Sequence, residues 1–155
     1  MATGHDISMG LRAAYLAMHR QTNAALTGHG VTADQFVLLT LLNERDGITQ
    51  QDLVRRASSD ANTVRAMLVL LEGRGLVERT PHQTDGRART VTLTSKGRRT
   101  LAQLWAVSQP GRARLAAAFR PEEAEILIEL LARASRASAL SRADKRPTRR
   151  KGERQ

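Results

Sequence analysis

The chain has 155 residues, no cysteine and a formal net charge of +10, from 25 Lys and Arg against 15 Asp and Glu. That length suits one domain with a real core, and the lack of cysteine excludes a disulfide framework, a thiolate zinc site, a cysteine nucleophile and thiol-based redox sensing. There is no apolar run of about 18 residues and no basic segment followed by an apolar one at the N-terminus, so no membrane partner is expected and the expected location is the cytoplasm.

From Asp6 to about Thr27, Ile7, Leu11, Ala14, Tyr15 and Met18 recur at helical spacing. Asp6 or Ser8 is the candidate cap, and Gly28 with Gly30 stops the helix. A second helix, from about Thr32 to Glu44, carries Phe36, Leu38, Leu39, Leu41 and Leu42; so wide an apolar face marks a central, largely buried helix. Asp46-Gly47 is a turn. Thr49-Gln50-Gln51-Asp52 has the pattern of a capping box and opens a short helix to about Ala57, with Leu53 and Val54 inside. Ser58-Ser59 form a tight turn. Ser59 then caps a helix with Asp60 in its first turn and Val64, Met67, Leu68 and Leu71 on one face. Gly73 or Gly75 ends it.

After Gly75 the period changes. Leu76-Val77-Glu78-Arg79 reads as a strand, Asp85-Gly86 as a turn, and Thr90-Val91-Thr92-Leu93-Thr94 alternates strictly. Together they predict a β-hairpin with a long polar tip from Pro81 to Arg89. A long helix starts near Ser95 and carries Leu101, Leu104, Trp105, Leu115 and Phe119; Pro110-Gly111 within it should kink or break it. Pro121-Glu122-Glu123 opens a last helix with Ile126, Leu127, Leu130, Leu131 and Ala134 as its stripe. Residues 144–155 are polar, basic and without periodicity, and read as a disordered basic tail.

The charge has an address. Residues 47–99 are net +5 and residues 142–155 are net +5, whereas 1–46 and 100–141 are net −1 and +1. Two short helices joined by a tight turn and followed by a hairpin describe a winged helix-turn-helix, so the fold class is mainly α with a small β component. The second helix is dimensioned to enter a DNA major groove, about 12 Å wide, with Asn62, Thr63 and Arg65 exposed near its start and Val64 facing inward. Asn pairs with adenine, Arg with guanine, and Thr reaches a base edge, a thymine methyl or a phosphate. The hairpin tip carries Arg79, Arg87 and Arg89 around Asp85, and Lys96, Arg98 and Arg99 follow. A thin basic finger fits the minor groove, and Asp85 is placed to hold the Arg87 guanidinium in a bidentate pair.

The stretch ITQQDLVRRASSDANTVRAMLVLLEGRGLVERT and the following DGRARTVTLTSKG resemble the MarR family of winged-helix transcriptional regulators. The likeness is continuous from about Val31 to Gly97; Asp85-x-Arg87 with Val91-x-Leu93-Thr94-x-x-Gly97 is its most specific part. Ser59 departs from it, standing where many members have an apolar residue. The resemblance implies a single domain over 1–143, with a winged helix-turn-helix at 31–99 and dimerisation helices at 6–28 and 100–143. It implies a homodimer on double-stranded DNA reading a pseudo-palindromic operator, with Asn62, Thr63 and Arg65 at or beside base-reading positions, Arg87 in the minor groove, and Asp85 and Arg89 beside it. It also implies a small-molecule effector in a cleft bordered by the helices of Arg12, Met18, His19 and Trp105, although Trp105 and Met18 also suit a plain core role.

A dimer is argued independently. The stripes Ile7-Leu11-Tyr15 and Ile126-Leu127-Leu130-Leu131 exceed what the central lobe can cover, and a two-fold interface would cover them. The four histidines, His5, His19, His29 and His82, show no ligand spacing, so no metal is expected; His82 suits a phosphate or solvent. The tail either adds phosphate contacts or is simply solvated. No phosphate loop or nucleophile constellation appears, so neither an enzyme nor a cofactor is expected. The resulting expectation is a sequence-specific transcriptional regulator, a repressor released by a small ligand, with a non-specific architectural DNA-binding protein as the alternative.

Overall fold

A computed structural model of the chain describes residues 1–45 and 47–143. Asp46, half of the expected turn with Gly47, and the basic tail 144–155 lie outside the described residues. Among those described, the order is α1 (Gly4–Leu26), α2 (Ala33–Glu44), β1 (Ile48–Thr49), α3 (Gln50–Arg56), α4 (Ala61–Gly73), β2 (Val77–Pro81), β3 (Arg89–Leu93), α5 (Ser95–Ala117) and α6 (Pro121–Ala143). The fold is mostly helical with a small antiparallel sheet of order β1-β3-β2. No helix among the described residues is long and apolar enough to cross a membrane.

The described residues divide into two compact units, the first ending at Arg112 and the second beginning at Ala113. In the first, α2, α3 and α4 converge on an aliphatic core of Leu38, Leu39, Leu42, Leu53, Val64, Leu68 and Leu71, closed by Leu76 and Val91 of the hairpin and Leu104 of α5; all are essentially inaccessible. The buried character of α2 and the inward Val64 are as the periodicity predicts. In the hairpin Val77 pairs with Leu93 and Arg79 with Val91, which turns Val91 and Leu93 to one buried face.

Several boundaries differ from the sequence reading. The cap of α1 is Thr3, whose hydroxyl accepts from the Asp6 N–H (3.2 Å) while the Asp6 carboxylate accepts from the Thr3 N–H (2.8 Å). This box satisfies two orphan amides at once; the Ser8 hydroxyl instead donates to the Gly4 carbonyl inside the helix. The cap of α4 is Asp60 rather than Ser59, because Ser58 takes a left-handed φ of 50° and shifts the turn by one residue. The strand β1 is too short for its alternation to register, yet Ile48 pairs with Val91 and extends the sheet.

α5 runs unbroken through Pro110. Proline removes the N–H that would serve the Ala106 carbonyl, and the two carbonyls before it carry side-chain donors. The Ser108 hydroxyl donates to the Leu104 carbonyl (2.7 Å) and Arg112 Nη2 to the Trp105 carbonyl (2.9 Å). In the second unit, α6 opens at Pro121, and the Glu123 carboxylate accepts from the Arg120 N–H at 3.0 Å and from its guanidinium at 2.6 Å.

Candidate nucleic-acid interface

The start of α4 is set by Asp60. Its carboxylate accepts from the Thr63 N–H (2.9 Å) and hydroxyl (2.6 Å), and these bonds lower its pKa. Thr63 is therefore part of the cap: its hydroxyl proton is spent on Asp60, and its lone pairs and methyl remain exposed. Asn62 and Arg65 are exposed beside it, and Val64 is fully buried, so one turn of helix separates anchor from reader.

The end of α4 is held from three directions. Lys96 Nζ donates to the Arg74 carbonyl (2.7 Å) and the Thr94 hydroxyl to the Gly75 carbonyl (2.6 Å), so donors meet the carbonyl-rich helix terminus. The Arg74 guanidinium in turn donates to the carbonyls of His29 (3.0 Å) and Gly30. Lys96, counted from sequence with the basic patch, thus acts as a strut.

Between α4 and the hairpin, Glu72 and Arg79 form a fork. Arg79 Nε and Nη2 donate to one Glu72 oxygen at 3.0 and 2.5 Å, and the Arg79 N–H donates to the other at 3.3 Å. The Arg79 hydrogen bonds hold the Glu72 carboxyl below its ordinary value, with Arg89 adding attraction. Composition placed Arg79 among the free cations of the tip; the structure commits it to tying the recognition helix to the wing. Only the seven-residue spacing of Glu72 and Arg79 across the helix exit could have signalled the pair.

An open groove of about 760 Å³ lies between α3, α4 and the hairpin. Its lining includes Gln50, Gln51, Arg65, Glu72, Arg79, Arg87 and Arg89. It brings Arg65 of α4 together with Arg87 and Arg89 of the wing, while Asn62, Thr63 and Asp85 lie outside its lining. Because Glu72 answers Arg79, the other three arginines give the groove its positive character. The glutamines at the start of α3 were not singled out from sequence.

At the wing tip, Asp85 does not make the expected pair with the Arg87 guanidinium. Its carboxylate accepts from the Arg87 backbone N–H at 3.0 Å. At a separation of two residues in a tight turn, the amide is the nearer donor, which is the usual Asx arrangement.

Two of the residues expected to border an effector cleft, His19 and Trp105, have separate polar and ring partners. His19 is shared between the Asp34 carboxylate (3.3 Å), the Asn23 amide (3.2 Å) and the ring of Tyr15. Trp105 packs on Phe36 with centroids 5.6 Å apart and carries the Arg112 guanidinium 3.7 Å above its ring. Met18 and Trp105 are each 46% exposed, so neither is plain core, and Arg12 is exposed. No hydrogen bond, ion pair or ring contact among the described residues joins these four to one another. The stack on Trp105 was not foreseen. No group of three or more potential metal ligands occurs among the described residues.

Comparison with known proteins gives consistent likenesses. The MarR family model matches residues 31–88. The HTH-type transcriptional repressor Rv2887 of Mycobacterium tuberculosis (strain ATCC 25618 / H37Rv) is 33% identical over 106 residues, spanning 68% of this chain and 76% of the relative. The transcriptional repressor CouR, bound to a 23-mer DNA duplex, superposes with a TM-score of 0.74 at 27% identity, covering 87% of this chain and 99% of that one. A mutant MarR from Escherichia coli, complexed with operator DNA, gives a TM-score of 0.75 at 26% identity over 83% and 92% of the two chains.

Proposed function

This chain belongs to the MarR family of winged-helix transcriptional regulators, and on that premise we propose that it is a cytoplasmic repressor that binds a pseudo-palindromic operator as a homodimer and is released by a small molecule. It is a DNA-binding regulator and not an enzyme. The observation that carries the finer reading is the groove in which Arg65 of α4 meets Arg87 and Arg89 of the wing. Cations from a helix and a hairpin tip converge there, as simultaneous contact with neighbouring DNA grooves requires. The similar proteins solved with DNA support the same use of this lobe.

In this reading α4 lies in the major groove, with Asn62 and Arg65 toward base edges and Thr63 beside them. Arg87 enters the adjoining minor groove, Arg89 meets phosphate, and Asp85 shapes the turn that carries them. Residues 31–99 act as the DNA-binding lobe of a single domain over 1–143, and the helices 6–28 and 100–143 supply the dimer surface. Two separate sets of exposed apolar side chains support that surface: Ile7, Leu11 and Tyr15 on α1, and Ile126, Ile128 and Leu130 on α6. The effector arm rests on the resemblance and on the exposed Trp105 ring under Arg112, a cationic aromatic surface suited to a flat anion.

Affinity for the protein's own promoter region and for length-matched random DNA tests the proposal. Wild type should prefer the promoter. R87A should lose about 1–3 kcal/mol and lower the salt slope by about one. N62A should narrow the gap between the two DNAs. Equal wild-type affinity for both, with a steep salt dependence, would make the protein an architectural binder instead.

A further inference from the structure

The wing tip closes on one side chain. The His82 N–H donates to the Ala88 carbonyl, and the Ala88 N–H donates to the Asp85 carbonyl, each at 3.0 Å. Within that loop His82 Nδ1 faces the N–H groups of Thr84 and Asp85, both at 3.3 Å, and the Thr84 hydroxyl at 3.2 Å. A peptide N–H can only donate. Nδ1 must therefore hold a lone pair, and the ring proton sits on Nε2. The chain of bonds continues through the Asp85 carboxylate to the Arg87 N–H. Nothing apolar larger than Ala88 lies between His82 and Arg89, so these bonds, rather than packing, order the tip. His82 is half-buried, whereas residues 83–87 are exposed.

We infer that His82 is a positioning residue for DNA binding: its neutral imidazole, accepting at Nδ1 from the Thr84 and Asp85 amides, orders the turn that presents Arg87, and a second ring proton releases that turn. The inference rests on the reading that Arg87 enters a DNA groove. An imidazolium has two donors and no acceptor, so protonation sets N–H against N–H at the centre of the tip. The charged groups on the surrounding elements are Asp85, Arg87 and Arg89 of the wing and the Glu72–Arg79 fork between α4 and β2. An ordered tip also reduces the entropy lost when Arg87 is immobilised on DNA.

Two measurements on the full chain test this. Nitrogen NMR of the free protein at neutral pH should show His82 protonated at Nε2 alone. The Thr84 and Asp85 amide resonances should move in step with the ring as it takes up its second proton. In DNA titrations H82A should bind about threefold to tenfold more weakly at neutral pH, and H82N should recover part of the loss through its side-chain carbonyl. On acidification into the range where imidazoles protonate, wild type should lose affinity relative to H82N. A proton on Nδ1 at neutral pH, an H82A affinity equal to wild type, or wild type gaining on H82N in acid would overturn the inference; the last would make His82 a phosphate contact. R87A measured alongside separates the failures. If R87A also binds normally, the reading of the wing falls; if R87A weakens binding and H82A does not, only the role of His82 falls.

Discussion

Glu72 and Arg79 show how single residues set the interface. The fork fixes the exit of the recognition helix to the first wing strand and removes one cation from the DNA-facing count. Because the Arg79 bonds depress the Glu72 pKa in the folded state, the fork's contribution is complete above the unfolded value. It is lost as pH falls through the folded value. E72Q should therefore have a lower denaturation midpoint than wild type at neutral pH, and the gap should close on acidification below the ordinary carboxylate range. A gap independent of pH would mean the fork acts through shape alone. The sequence displayed every arginine of this face but not which of them an acid answers, because that depends on where a helix exit and a strand meet. Likewise Asp85 and Arg87 were legible as partners. Their contact through the backbone amide follows from turn geometry, which a list of side chains does not contain.

Among the elements, the order of helices and hairpin followed from periodicity because the aliphatic stripes of α2 and α4 are strong and their caps are polar. The misplaced boundaries share one cause: neighbouring Ser, Thr and Asp residues compete for a cap, and the backbone decides. Ser58 in the left-handed region hands the α4 cap to Asp60. Pro110 does not end α5, which continues to Ala117, so of the expected kink or break the break does not occur. The base of the wing offers the sharpest test at this scale. A Cβ on Gly97 would stand 2.0 Å from the Leu76 carbonyl oxygen and 3.2 Å from a Leu93 methyl. That carbonyl also accepts from the Thr94 N–H, so it cannot retreat without cost. G97A should cost about 1–3 kcal/mol or more in a denaturant titration, as overpacking does. An unchanged midpoint would show that the hairpin base yields freely.

For the whole molecule, the charge excess of the described residues is concentrated in one stretch of chain, whereas exposed apolar side chains are spread more widely and include both α1 and α6. The winged-helix segment carries a net +5 over residues 47–99, while α1 and α6 each leave large apolar side chains uncovered. Both were legible in the sequence, since a charge count by segment and a helical stripe need no coordinates. The operator and the effector were not legible, because each depends on a surface completed by another molecule. In the proposed function, α4 and the wing read DNA in pairs, one set from each copy. Selection of bound fragments from a random DNA pool by the full-length protein tests this most directly. Paired reading should enrich an inverted repeat whose half-site centres lie about 34 Å apart, one helical turn. A pool that stays random, or one that yields a lone half-site without its mirror image, would contradict it.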